Sequence, residues 1–365
     1  MRLGVAAAVV GGTVVPGDVE VADGRIAAVG VTPAGASGLA APGFVDLQIN
    51  GFDGVDFLAA DASAYAEVGA SLARTGVTAY QPTLISSPET AYRPALAAIA
   101  AARAGAGPRV LGAHLEGPFL SPKRVGAHDP AYIAAPDVAF LERLLALGPV
   151  THVTVAPEEP GGLDLVSLLA GRGVTVAIGH SDADAATANA AFDRGARVVT
   201  HLYNAQRPFS ARDPGIIGAS LTREDVTVSL ILDGVHVARE AVLLAWRAAP
   251  GRFAIVTDAI EAAGRPDGRY VIGDRRIVVS DGAARLDDGT LAGSALTMDR
   301  AVRNLVGLGV PAVQAIDAAT RVPARAVRRD DLGDLAPGMP ADVVVLDDAL
   351  TVRRTLVGGV EVFAA

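Results

Sequence analysis

The sequence predicts an α/β fold: an eight-stranded (β/α)₈ barrel of the TIM type, with a small β-sandwich domain built from both chain ends. Eight short apolar segments alternate with Ala- and Leu-rich segments of helical character through the middle of the chain. No Gly-x-Gly-x-x-Gly motif follows the first of them, which disfavours an open dinucleotide-binding sheet. Each apolar segment also ends in a hydrogen-bonding or ionisable residue, at the barrel edge where active sites lie.

The alternation of strands and helices favours parallel pairing with right-handed crossovers. The predicted barrel strands are 43–49, 77–84, 109–116, 150–156, 174–180, 197–202, 226–232 and 253–258. The predicted helices are 61–75, 88–104, 137–147, 163–172, 184–194 and 238–248.

The two chain ends are strand-like instead. Asp23-Gly24 separates two short apolar segments and is typical of a β-hairpin turn. A link rich in Pro, Gly and Ser, 33–43, leads into the barrel, and the tail carries strand-like segments at 342–346 and 356–363. The predicted division is 1–41 and 335–365 for the small β domain and 42–334 for the barrel.

Composition excludes several classes of protein. The chain has 365 residues, of which 51% are hydrophobic, and its formal net charge is only -9, so it is not a disordered chain. Without cysteine it has neither disulfides nor a thiolate metal site. The acidic balance argues against nucleic acid as a partner. No apolar segment reaches the ~20 residues of a membrane span. The short apolar start has the pattern of a strand, not of a signal peptide, so we expect a cytoplasmic protein.

The polar ends of the predicted strands form the candidate site. These residues are Gln48, Asn50, Gln81, Glu116, Glu158, His180, His201, Asp233 with His236, and Asp258. Glu116, His180 and His201 are candidate ligands, because two neutral imidazoles and one carboxylate with an open position describe a catalytic zinc-type site. Asp258 is a candidate proton acceptor. The alternatives are strand-terminal groups bonded to backbone or water and, for Asp258, a helix N-cap.

Two long loops are predicted near this edge. Loop 117–136 carries His128 and is a candidate lid. Loop 201–218 carries Arg207 and Arg212, which could bind an anion such as phosphate or form surface ion pairs. His114 and His152 lie inside predicted strands, and we interpret both as interior histidines with satisfied hydrogen bonds.

Several strings resemble the N-acetylglucosamine-6-phosphate deacetylases of the amidohydrolase superfamily, and the resemblance covers nearly the whole chain. They are PGFVDLQING (42–51), HLEGPF (114–119), GHS (179–181), THLYNA (200–205), RDPG (212–215), DGVH (233–236), VTDA (256–259), LAGSALTM (291–298) and PGMPAD (337–342). The HLEGP and THLYNA strings are specific to the deacetylases and are not general to the superfamily.

The resemblance implies a set of roles. One divalent metal ion per chain, with zinc as the expected ion, is bound by Glu116, His180 and His201. Asp258 serves as general base and acid, and His128 polarises the acetamide carbonyl. The implied substrate contacts are Ala127, Asn204, Ala205, Arg212, His236, Leu291, Ala292 and Gly293, with Arg212 and His236 at the phosphate. In related enzymes a neighbouring subunit completes the phosphate site, so a homodimer is implied.

One departure concerns the end of the first barrel strand. The superfamily often carries His-x-His there, whereas this chain has Gln48-Ile49-Asn50. Uncharged amides are weak ligands, so we predict one metal at full occupancy and a second site that is weak or absent.

The implied reaction is hydrolysis of N-acetyl-D-glucosamine 6-phosphate to D-glucosamine 6-phosphate and acetate, in amino-sugar catabolism or recycling. One alternative is the galactosamine 6-phosphate epimer as substrate. Others are a cyclic amidase or deaminase of the same superfamily, which would need no anion-binding loop, and a non-enzymatic assembly module. The last should have lost its ligands, yet all four of the metal and base candidates are present.

Overall fold

The computed structural model describes residues 1–103 and 105–365 and confirms the predicted barrel. The strands are β1 (Ala7–Val10), β2 (Thr13–Pro16), β3 (Asp18–Ala22), β4 (Arg25–Val31), β5 (Leu39–Pro42), β6 (Phe44–Ile49), β7 (Gly51–Phe52), β8 (Val55–Asp56), β9 (Val77–Ile85), β10 (Arg109–Val110), β11 (Ala113–Glu116), β12 (Val150–Val155), β13 (Thr175–Ile178), β14 (Val198–Val199), β15 (Thr227–Ile231), β16 (Phe253–Val256), β17 (Gly268–Ile272), β18 (Arg275–Ser280), β19 (Ala283–Arg285), β20 (Leu291–Ser294), β21 (Val343–Leu346), β22 (Val352–Val357) and β23 (Val360–Ala364).

The helices surround the barrel and continue after its last strand. They are α1 (Ala62–Ala73), α2 (Glu89–Ala102), α3 (Val138–Ala146), α4 (Gly162–Gly171), α5 (Ala185–Asp193), α6 (Gly215–Thr222), α7 (Arg239–Ala248), α8 (Met298–Gly307), α9 (Ala312–Ala319) and α10 (Arg321–Ala326). Aspartate side chains cap several of them; Asp61, Asp137 and Asp184 accept backbone N–H bonds at the starts of α1, α3 and α5. The predicted end of the second helix, residue 104, lies outside the described residues.

Parallel pairing runs around the barrel from β6 to β9, then to β10 and β11, and on through β12 to β16. These strands are buried over almost their whole length, as strands covered on both faces must be. The predicted third strand is broken into two at Gly112, whose φ of 115° is a backbone angle that glycine adopts readily and other residues disfavour.

The seam between β16 and β6 is closed mainly just beyond the end of β16. Asp258 N–H donates to the Gln48 carbonyl at 2.8 Å, and Asn50 N–H donates to the Ala259 carbonyl at 2.7 Å. Asp46, which is fully buried, accepts a bond from the Thr257 hydroxyl at 2.5 Å and one from the Thr257 N–H at 3.2 Å. The Asp46 side chain therefore bridges the first and last strands directly below the carboxyl edge of the barrel.

Strands from both chain ends share one six-stranded sheet, in the order β2-β1-β5-β21-β22-β23. The predicted Asp23-Gly24 hairpin is present as β3 and β4. Two details differ from prediction. The expected link 33–43 ends in strand β5, which pairs with both β1 and β21, and the expected strand 356–363 turns at Gly358-Gly359 into two strands. The domain boundaries at residues 41 and 335 stay a prediction.

A four-stranded antiparallel sheet, β17 to β20, follows the last barrel strand and was not predicted. Its buried residues, among them Ile272, Ile277 and Ala292, form a separate cluster with Ile85 and Ile260 of the barrel rim. We call these four strands the cap sheet. The cap sheet covers part of the carboxyl edge of the barrel, and so takes part in the site.

Candidate active site

Three strand ends bring Glu116, His180 and His201 together at the carboxyl edge of the barrel. Glu116 Oε1 lies 2.9 Å from His201 Nε2 and 3.2 Å from His180 Nε2, and the two Nε2 atoms are 3.1 Å apart. Ligand atoms about 2.0–2.2 Å from one tetrahedral ion are spaced by about 3.3 Å. The three side chains therefore fit a single divalent ion, as the only His/Asp/Glu cluster with that geometry among the described residues.

The orientation of His180 suits metal binding. Its Nδ1 is 2.9 Å from the Arg124 carbonyl, which can only accept, so Nδ1 carries the proton and the Nε2 lone pair faces the cluster. His180 and His201 also have left-handed backbone angles, with φ of 47° and 28°. Such angles are strained for side chains with a Cβ and are typical of functional positions.

The charge balance of the cluster also fits a cation. Burial raises the pKa of Glu116, but the bonds and charges of His180 and His201 outweigh burial and hold that pKa well below its usual value. Burial lowers the pKa of His201, yet Glu116 raises it above the ordinary histidine value. Glu116 is therefore ionised, and its buried negative charge attracts positive charge to the point where the three side chains meet.

Asp258 lies beside this cluster and accepts hydrogen bonds from two buried amide side chains. Asn50 Nδ2 donates to Asp258 Oδ1 at 2.7 Å, and Gln48 Nε2 donates to the same atom at 3.2 Å and to Glu116 Oε1 at 2.9 Å. Burial and the charge of Glu116 raise the pKa of Asp258 to about 6. A carboxyl group with a pKa near neutrality suits general acid–base work.

His128 is placed across the site by loop 117–136. The Ser86 N–H donates to its Nδ1 at 3.2 Å, so its Nε2 carries the proton, and Nε2 lies 3.8 Å from Glu116 Oε2. Burial, helped by the nearby His180, lowers the pKa of His128 to about 3. At neutral pH it is a neutral hydrogen-bond donor at the edge of the metal cluster.

A cavity of about 390 Å³ opens beside these groups, large enough for a phosphorylated monosaccharide. Among the predicted substrate contacts, the cavity lining includes Ala127, Asn204, Ala205, His236, Leu291 and Gly293. His236 donates through Nδ1 to Asp233 at 2.7 Å, so its Nε2 is left for a ligand. A Cβ on Gly293 would lie 2.5 Å from a methyl group of Ile260, so the close approach there requires glycine.

Two predicted contacts are not brought to the cavity in this chain. Arg212 is exposed and does not line the cavity. The Ala292 side chain is buried in the cap-sheet cluster, on the side away from the lining. Arg207, considered as an anion ligand, is instead paired with Asp213 at 2.6 Å. The expected loop 201–218 also ends earlier than predicted, because α6 begins at Gly215.

The interior histidines behave differently from one another. His114 is bonded on both ring nitrogens, to Thr83 at 3.2 Å and Thr154 at 2.8 Å, in agreement with the prediction. His152 is bonded to Gln81 at 3.0 Å through Nδ1, but its buried Nε2 has no partner among the described residues. Within the described residues, the predicted hydrogen bonding of His152 is therefore seen for one of its two ring nitrogens.

Sequence reasoning missed the contribution of the cap sheet. Ile272, Arg285, Gly289 and Thr290 line the cavity together with Leu291. Arg285 donates to the Gly289 carbonyl at 2.8 Å and forms no ion pair with the described residues. The available signal was a series of Gly and Asp turn residues between 273 and 289, spaced by short alternating segments.

The sequence profile of the amidohydrolase family matches residues 39–362. The chain belongs to the amidohydrolase family. Its relatives include an N-acetylgalactosamine-6-phosphate deacetylase of Escherichia coli O157:H7, which is 38% identical over 350 residues, 93% of each chain. An N-acetylglucosamine-6-phosphate deacetylase of Mus musculus is 40% identical over 343 residues, 89% of this chain and 83% of the relative.

Solved structures of this amidohydrolase group have the same fold. A mutant N-acetyl-D-glucosamine-6-phosphate deacetylase of Mycobacterium smegmatis, in complex with N-acetyl-D-glucosamine-6-phosphate, matches with a TM-score of 0.94 and 36% identity, covering 100% of this chain and 99% of that one. The deacetylase of Thermotoga maritima matches with a TM-score of 0.91 and 32% identity over both whole chains. The resemblance seen in the sequence strings is confirmed. No helix of the described part is long and apolar enough to cross a membrane.

Proposed function

We propose that this amidohydrolase is an N-acetylglucosamine-6-phosphate deacetylase, which hydrolyses the acetamide of N-acetyl-D-glucosamine 6-phosphate to D-glucosamine 6-phosphate and acetate. The observation that carries the proposal is the convergence of Glu116, His180, His201, Asp258 and His128 on one cavity. Relatives with that name and that substrate match nearly the whole chain. This reaction belongs to amino-sugar catabolism, for which we propose a cytoplasmic location.

Glu116, His180 and His201 would hold one divalent ion, for which we propose zinc because two imidazoles and a carboxylate are a donor set that zinc accepts. When bound, the ion supplies Lewis acidity, which polarises the amide carbonyl and lowers the pKa of a water ligand. Gln48 and Asn50 donate amide hydrogens to Asp258, and their uncharged amide oxygens are weak metal ligands. We therefore propose a single fully occupied site.

Asp258 takes a proton from the attacking water and returns it to the nitrogen of the leaving amine. Its Oδ1 is fixed by Asn50 and Gln48, which leaves Oδ2 for that transfer. The protonated Nε2 of His128 donates to the carbonyl oxygen as negative charge develops there. Because the Ser86 N–H holds the other ring nitrogen, His128 needs no rearrangement during the reaction.

Recognition of the sugar phosphate is proposed for the cavity rim, by Asn204, Ala205, His236 and the segment 291–293. Within one chain the cavity has a single permanent cation among its described lining residues, Arg285. Arg212 is exposed and lies outside the cavity. We propose that it reaches the phosphate in the cavity of a second subunit, in a homodimer.

The proposal is tested by acetate release from N-acetylglucosamine 6-phosphate, its galactosamine epimer and unphosphorylated N-acetylglucosamine, with metal content measured on the same sample. We expect turnover of the glucosamine 6-phosphate substrate, far less of the unphosphorylated sugar, and one equivalent of zinc per chain. Preference for the galactosamine epimer would replace the proposed substrate, a possibility raised by the E. coli relative's name. Equal turnover of the phosphorylated and unphosphorylated sugars would favour a cyclic amidase or deaminase.

A further inference from the structure

The imidazole of His180 is oriented by a backbone atom of loop 117–136. The Arg124 carbonyl accepts the Nδ1 hydrogen of His180 at 2.9 Å. A hydrogen bond to the second ring nitrogen fixes the rotation of a metal-ligating imidazole and selects its tautomer. The direction in which His180 Nε2 points therefore depends on where the loop holds residue 124.

The segment 122–127 of this loop is exposed or half-buried and lies between two fixed points. Ser121 N–H donates to the His180 carbonyl at 2.9 Å and fixes its start, and the buried His128 fixes its end. Within the segment, Arg124 N–H donates back to the Ser121 carbonyl at 2.9 Å. That bond closes a local turn and does not attach the segment to the barrel. The side chain of Arg124 supplies an attachment.

Arg124 is attached to the barrel through Asp182, two residues after His180. Its Nε and Nη2 both donate to Asp182 Oδ1, at 2.9 and 2.6 Å. The Asp182 side chain is only 14% exposed. Its backbone is also held, because its N–H donates to the Glu158 carboxylate and its carbonyl accepts from Arg207 at 3.1 Å. The guanidinium therefore binds an acceptor that is itself fixed, through charge-assisted hydrogen bonds.

These contacts form a closed ring that begins and ends at His180. The ring runs along the backbone from His180 to Asp182, across the ion pair to Arg124, and from the Arg124 carbonyl back to His180 Nδ1. The ion pair and the accepting carbonyl belong to the same residue. Loss of the ion pair would therefore free the carbonyl that orients the ring.

We propose that Arg124 and Asp182 are positioning residues for the metal ligand His180. Their ion pair holds the Arg124 carbonyl against His180 Nδ1, so that Nε2 stays directed at the metal cluster. This role rests on the proposed function, since it takes His180 as a ligand of the ion. Both residues lie outside the lining of the active-site cavity, so their part is in metal retention and not in contact with the substrate.

The test compares zinc affinities in the absence of substrate. Zinc-loaded wild type and Arg124→Met are each equilibrated with a chromophoric chelator, which reports the zinc that the protein gives up. Loss of a group that orients a metal ligand typically lowers metal affinity 10- to 100-fold. Because Arg124→Met frees the carbonyl without removing it, we expect a loss of about tenfold, the lower end of that range. The thermal midpoint in excess chelator should hardly change, since ion pairs that reach solvent contribute little to folding.

Lys123→Met is the matched control. Lys123 is the adjacent residue, and its Nζ lies 3.5 Å from the same Asp182 carboxylate, but its side chain is 76% exposed. By charge alone, removal of a cation near the metal should tighten zinc binding. Positioning predicts the opposite sign for Arg124→Met. We expect Lys123→Met to bind zinc as tightly as wild type or slightly more tightly, and equal losses in the two variants would overturn the proposal.

A double-mutant cycle tests whether the two residues act as a pair. Asp182→Ala removes the acceptor of the ion pair, so Arg124→Met should have little further effect on zinc affinity in that background. The same further loss as in the wild-type background would show that Arg124 acts without Asp182 and would overturn the proposal.

A crystal structure of the zinc-loaded wild type tests the geometry even if a variant fails to fold. The Arg124 carbonyl should lie within hydrogen-bond distance of His180 Nδ1, with the ion pair to Asp182 formed. A different acceptor at Nδ1 would overturn the positioning role. A wild type that binds no zinc would refute the proposed metal site, whereas equal zinc affinities in wild type and Arg124→Met would refute the positioning role alone.

Discussion

The chemical end of the cavity and its recognition rim are built in different ways. Glu116, His180, His201 and Asp258 are all at least 92% buried, and each is the last residue of a barrel strand or lies two residues beyond one. The rim consists largely of exposed or half-buried residues on loops and on the cap sheet, such as Arg285 and Asn204. Catalytic geometry therefore depends on strand register, whereas substrate choice depends on segments that can vary without disturbing the barrel.

The largest effect is expected at the chemical end. Asp258→Asn retains the shape and removes the proton acceptor, so kcat should fall by about 10²–10⁴, the range for general acid–base catalysis. Metal content should not change, as measured by elemental analysis of the purified variant. Asp274→Asn, an exposed change in the cap-sheet turn, is the matched control and should be neutral. If the Asp258→Asn variant keeps a near-normal kcat, Asp258 is not the general base. If the variant loses its metal, Asp258 is a metal ligand instead.

A smaller effect is expected at the rim. Arg285→Met retains the length of the side chain and removes the cation, so kcat/KM for the phosphorylated substrate should fall roughly 10- to 100-fold, as for loss of a charge-assisted bond. Activity on an unphosphorylated N-acetyl sugar should hardly change. Arg276, exposed on β18 and away from the cavity, provides the control Arg276→Met. Equal losses with both sugars would show that Arg285 supports the cap sheet and does not bind the phosphate.

Arg212 provides a sharper version of the same comparison. If Arg212 acts in a neighbouring subunit, Arg212→Ala should lower kcat/KM for the phosphorylated substrate by a similar factor, although Arg212 does not line the cavity of its own chain. Mixing Arg212→Ala with Asp258→Asn protein and allowing subunits to exchange should then restore part of the activity. If heterodimers verified by mass spectrometry show no recovery of activity, Arg212 does not act in the partner's site.

The last effect concerns stability at the seam, away from the substrate. Burial raises the pKa of Asp46 to about 7, against the opposing bonds from Thr257. Between pH 4 and 7 the unfolded state releases this proton while the folded state retains it, so the Asp46 contribution to stability falls as pH rises through that window. Relative to the Asp46→Asn variant, the free energy of unfolding of the wild type should fall by about 1.4 kcal/mol for each pH unit in that window. Urea unfolding of both proteins at pH 5, 6 and 8 measures this difference, and a constant difference would refute the raised pKa.

Sequence reasoning located the chemical end because apolar strands with polar last residues leave a visible pattern. It identified eight strands and the residues that the barrel gathers at one edge. It did not find the contact of Asp46 with Thr257, since no local pattern pairs residues 211 positions apart. Nor did it find Arg285, because the cap sheet is made of short, partly exposed strands whose alternation is weak beside that of the barrel. Nor did it show that only one ring nitrogen of His152 has a partner among the described residues, because a single sequence does not place the neighbours of a buried ring.

The left-handed backbone at His180, His201 and Asp258, with φ of 47°, 28° and 49°, has a consequence for protein engineering. Each such residue costs of the order of 1–3 kcal/mol that glycine would not incur. Directed evolution that selects for thermal stability alone would therefore favour glycine at these three positions. The resulting variants would be more stable but inactive. Libraries intended to improve this scaffold should keep the three positions fixed and seek their gains on the helices outside the barrel.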